Sequence, residues 1–152
     1  MSGFLVTILV LHIFGGLVGM IFLTSYMLSL LKEDADLKKL SRISFYALLA
    51  FLGSWILGGY YYLTYYGKAV KPIITKGDFV WVHKIVMETK EHVFLFLPFL
   101  ALSVFLVTFL LPGIMSKDKN LKTSVAFLAF IAQSIALLVA VFGIIISGAV
   151  GK

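Results

Sequence analysis

The sequence predicts an all-α membrane protein, an up-down-up-down bundle of four transmembrane helices, on three observations. First, 61% of the 152 residues are hydrophobic and only 13% are charged, where a soluble domain carries roughly half and a quarter. A soluble fold of this length has no interior large enough for so much apolar surface, so lipid must be its solvent. Second, the apolar residues fall in four long continuous runs without the alternation of a barrel strand, which leaves helices as the spanning element. Third, the connections are short enough to force neighbouring helices antiparallel.

The spans read, in order, as residues 4–31, 43–66, 79–111 and 124–148, each reaching the roughly 20 residues that cross about 30 Å of hydrocarbon. The first is too long for the apolar region of a secretory signal and lacks its basic start, so it is expected to stay in the mature protein. The third is purely apolar only from Val93, but nothing between Asp78 and Leu97 breaks a helix, and Asp78 is a suitable N-cap. The stretch from Gly67 to Val82, with its glycine, lysines and Pro72, reads as a loop.

Charge sets the expected orientation. Lys32, Lys38, Lys39 and Arg42 lie in the first connection and Lys117, Lys119 and Lys122 in the third, against Lys68, Lys71, Lys76 and Lys152 on the other side. Seven basic residues against four favour the first and third connections as cytoplasmic, with both termini outside. The formal charge of +6 therefore belongs to anchors at anionic headgroups, and nucleic-acid binding is not expected. The tyrosines at 60, 61, 62, 65 and 66, with Trp81, read as an aromatic belt at the outer interface. Absence of cysteine excludes disulfides, thiolate ligands and thioether-linked haem.

Chemistry is expected in one polar layer. Counting 19 residues back from Leu31 reaches His12, and 19 back from Leu111 reaches His92, so both imidazoles should lie about 28 Å from the cytoplasmic boundary. Ionisable side chains inside a span are costly and signal function by default. His12, Gly15, Gly16 and Gly19 form one helical stripe, and a glycine strip would leave a flat recess. Glu88, His92, Phe96 and Phe99 share a face of the third span, with Glu91 beside it. Ser54, Gly58 and Tyr62 are spaced by four on the second span, and Ala129, Ala132, Ala136, Ala140 and Gly143 give the fourth a small-residue face. Small residues of this kind also serve close helix packing. Lys84, Glu88, Lys90 and Glu91 read equally well as a solvated first turn, and His83 as an interfacial bystander.

The favoured reading is a b-type haem ligated by His12 and His92, with Gly15, Gly16 and Gly19 as its slot and Tyr62, Phe96 and Phe99 as walls. It would transfer electrons, with a quinone or an external carrier as partner. One alternative is a copper, zinc or iron site built from His12 and His92 with Glu88 and Glu91. Another is a cofactor-free structural or assembly subunit, in a homo-oligomer or a larger membrane complex, or a transporter whose polar layer relays protons. The stretch Leu11-His12-Ile13-Phe14-Gly15-Gly16 resembles the opening of copper-resistance CopD-like proteins and small cytochrome b-like four-helix proteins. That resemblance implies a histidine of a bacterial inner or plasma membrane that binds haem or copper.

Overall fold

The computed structural model describes residues 1–150; Lys152, one of the charges counted above, lies outside the described residues. Four helices are long and apolar enough to cross a membrane, as the sequence predicts. α1 covers Gly3–Leu30, and α2 starts at Leu37 because the Asp36 carboxylate accepts from the Lys38 and Lys39 N–H groups, which have no partner within the helix. α4 covers Glu88–Leu110 and α6 covers Lys119–Val150, the latter capped by Asp118 through Asn120 and Leu121 N–H at 2.8 and 3.1 Å. The small α5, Pro112–Met115, turns the corner between them.

The second span corrects the sequence reading. The chain does not leave the helix at Tyr66: a π-helical stretch, Tyr62–Val70, continues α2 directly into α3, Lys71–Lys76. Lys71 N–H bonds to Tyr66 C=O, five residues back. Pro72 falls in the first turn of α3, just after the wide turns. The whole rod is 40 residues, or about 60 Å, twice the hydrocarbon thickness. Its far third therefore runs beyond the first turn of α1, which meets it at Tyr60 and Tyr61. The return helix begins with a second π-helical turn at Val82–Met87, so Asp78 lies in the turn and is not the N-cap.

Within the bundle each helix packs on its neighbours in the ring α1, α2, α4, α6. The main core joins Leu23, Tyr26 and Leu30 to Phe51, Leu97, Val104 and the alanines Ala129, Ala132 and Ala136 of α6. The small-residue face of the fourth span is thus packing surface, as membrane helices that gain nothing from hydrophobic association require. A separate cluster of Tyr66, Val70, Ile74, Val82, Val86 and Met87 closes on Ile146 of α6. It ties the long end of the second rod to the start of the third.

One buried polar pair braces the core. Thr108 Oγ1 donates to Val104 C=O at 2.7 Å, so at its 2.6 Å contact with Tyr26 it accepts the phenol proton. Thr108→Val should strand that phenol and cost about 0.5–2 kcal/mol. Adding Tyr26→Phe should restore part of the loss, measured as thermal midpoints in detergent. A double variant no more stable than Thr108→Val alone would show that the hydroxyls do not support each other.

Candidate functional site

His12 points into the bundle and is held by α2. Its Nδ1 lies 2.8 Å from Ser54 C=O and 3.1 Å from Ser54 Oγ, while Ser54 Oγ donates to His12 C=O at 2.9 Å. A carbonyl only accepts, so Nδ1 carries the proton and the neutral ring presents Nε2 as a lone pair. The ring lies on Gly58, where a Cβ would stand 2.7 Å from Nδ1 and Cε1. Only glycine admits the imidazole here. Ser54 and Gly58, two of the three positions spaced by four on the second span, thus make the seat of His12.

Phe94 meets the His12 ring edge-on, with centroids 6.0 Å apart, so α4 reaches the level of His12. This contact also sets the rotation of α4. Residue 92 lies two positions earlier, about 200° round the helix, and His92 is accordingly exposed. Its Nδ1 donates to Glu88 C=O at 2.6 Å on its own helix. Phe96 and Phe99, 64% and 67% exposed, share that outer face. The face drawn from the sequence is a true helical stripe, but it is turned away from the bundle.

The glycine strip is also spent. A Cβ at Gly15 would stand 3.3 Å from Ala50 O and Ser54 Cβ, and one at Gly19 would stand 2.6 Å from the Phe51 ring. Gly15, Gly16 and Gly19 let α2 approach α1, and they leave no flat recess. Residues of one chain do not fit a haem held between His12 and His92. Nor do His12, His92, Glu88 and Glu91 converge: among the described residues no three or more His, Asp or Glu side chains group to hold a metal ion.

The inward stripe of α4 carries other charges. Lys90 sends its ammonium across to α6, to 3.5 Å from where a Cβ on Gly143 would sit. Glu91 has its Oε1 buried with no hydrogen-bond partner, within electrostatic reach of Tyr62. Tyr62 stacks on Tyr66 at 5.4 Å and 20°. The Tyr66 hydroxyl lies 3.1 Å from His83 Nδ1, and His83 Nε2 lies 3.6 Å from Glu88 Oε1. His83 is 4% exposed, whereas the Glu88 side chain is 46% exposed.

His83 is therefore no interfacial bystander, and Lys90 and Glu91 are not a solvated turn. A signal was present in the sequence: ionisable groups in a span favour the bundle interior, and Lys90 shares a stripe with Ala101 and Thr108 while His92 shares one with phenylalanines. Polar atoms join Glu88, His83 and Tyr66, whereas Tyr62 meets Tyr66 through its ring and lies within electrostatic reach of Glu91; each side chain in this succession is a donor, an acceptor or both. Below the level of His12 the interior is apolar around Leu23, Phe51 and Leu97, each at most 1% exposed, and its polar groups include the Tyr26–Thr108 pair and the buried Gln133 Oε1. No protein-family model, curated protein or solved structure matches this chain.

Proposed function

We propose that this chain is a proton-handling subunit of a membrane assembly, taking protons from the tyrosine-rich face into a buried site at Glu91, His12 and Lys90. The observation that carries this reading is the succession Glu88, His83, Tyr66, Tyr62, Glu91, which leads from a half-exposed carboxylate to a buried carboxylate oxygen without a partner. The path is blind toward the other face, so its task is delivery to a partner at that depth, such as a redox or transport subunit, and not conduction across the bilayer. The basic bias of the first and third connections favours the tyrosine-rich face as the outer one.

Hydrogen–deuterium exchange of the Glu91 carboxyl proton tests the reading, followed by infrared difference spectroscopy, with Glu91→Gln identifying the band. The path predicts slower exchange in Tyr66→Phe and His83→Ala. Unchanged exchange in both would remove it.

A second reading has one observation in its favour. His92 is pinned through Nδ1 and offers Nε2 outward, the geometry of an imidazole ligand oriented by a carbonyl. A haem or metal ion shared between His92 and a partner subunit, or a second copy, would use it. That reading expects a Soret band or bound metal in purified material that His92→Ala abolishes and Tyr66→Phe leaves intact. Material with neither band nor metal after supplementation would dismiss it.

A further inference from the structure

The geometry points to a specific binding site for an anionic phospholipid at the corner between α4 and α6, on the membrane face opposite the tyrosines. An open cleft of about 830 Å³ lies there, lined by the apolar Leu110, Leu111 and Ile114 of the α4 end and α5 and by the polar Lys117, Lys119 and Asn120 around the start of α6. Leu110 and Ile114 are 62% and 53% exposed, so the apolar wall runs on into the lipid-facing surface of α4. This division matches an acyl chain leaving a charged headgroup.

Three details separate this cleft from the general positive charge of that face. Met115, 1% exposed, anchors α5 in the bundle core beside the cleft. Asp118, also in the lining, has its carboxylate turned to the first N–H groups of α6, so it does not reach across to pair either lysine. Lys122 is drawn off to Lys32 C=O at 2.8 Å, which leaves Lys117 and Lys119 as the cleft's own cations. A free phosphate would satisfy those lysines but gain nothing from the leucines. The occupant favoured by both walls is therefore a lipid.

The test uses the purified full chain in neutral detergent, with the thermal midpoint titrated against phosphatidylglycerol, phosphatidylcholine or inorganic phosphate. Phosphatidylglycerol should raise the midpoint at the lowest concentration. The double variant Lys117→Ala with Lys119→Ala should raise its half-saturating concentration about thirtyfold, from about 1 kcal/mol for each lysine at an anionic headgroup. Lys38→Ala with Lys39→Ala, on the same face and outside the cleft, should change it less than threefold. An equal response to phosphatidylcholine would overturn the anionic headgroup, and an equal response to inorganic phosphate would overturn the lipid in favour of a soluble anion. Matching losses in the two double variants would reduce the site to diffuse attraction. All four lysines are exposed or half-exposed, so both variants should fold.

Discussion

Gly19→Ala is expected to destabilise the bundle, whereas Gly53→Ala is expected to leave it unchanged or more stable. Both glycines lie inside long helices, where alanine is intrinsically better by about 1 kcal/mol. The difference is in what the new methyl meets. At Gly53 nothing lies within 4 Å of the added Cβ, while at Gly19 three atoms of the Phe51 ring stand at 2.6–2.9 Å. Phe51 is 1% exposed and packed within the core, so its ring has no free volume to move into. Overpacking of this kind costs about 1–3 kcal/mol, enough to overcome the propensity gain and reverse the sign. Thermal midpoints of the two variants in the same detergent give the comparison, and Gly19→Ala combined with Phe51→Leu should recover most of the loss. Two midpoints that move together would mean that α1 and α2 do not meet at Gly19 as described.

The second large effect concerns the polar path. Tyr66→Phe removes the hydroxyl that contacts His83 Nδ1 at 3.1 Å and keeps the ring that stacks on Tyr62. The helix packing should survive and only the proton's route be cut. Loss of a positioned proton-transfer group slows a reaction typically about 10²–10⁴-fold. Water admitted at the vacated hydroxyl would compensate in part, so exchange at Glu91 should slow by about a hundredfold. His83→Ala should slow it similarly, and the two substitutions together should add little, because they interrupt one route. His92→Ala provides the control, since that imidazole faces away from the bundle and should leave the exchange rate unaltered. Slowing by His92→Ala equal to that by Tyr66→Phe would show that the proton enters over the outer face of α4.

How far the sequence could be read depended on whether a feature is local. The four apolar runs and the alanine face of α6 are properties of consecutive residues, and each stands in the structure close to where it reads. The stretch after Tyr66 was misleading for a physical reason. Gly67 and Pro72 weaken an α-helix, but here the ladder widens into π-helical turns just before the proline, and the rod continues. For α4, periodicity grouped Glu88, His92, Phe96 and Phe99 correctly on a face away from Lys90 and Phe94, with Glu91 at its edge. It gives no direction for either group.

That direction is the dividing line for this protein. Its sequence by itself determined a four-helix membrane protein, because transfer of long apolar segments into lipid needs no tertiary partner and each helix satisfies its own backbone. It also determined that ionisable groups gather toward one end of the bundle. Which of them meet was decided only by packing. Phe94 against His12 turns His92 outward, Gly58 and Ser54 seat one imidazole against α2, and Gly143 receives the Lys90 ammonium from across the bundle. Each of these is a contact between helices distant in sequence, set by the rotation and close approach of whole rods. A haem slot read along one glycine strip became, in three dimensions, the seam between α1 and α2, and the chemistry moved to the stripe of α4 behind it.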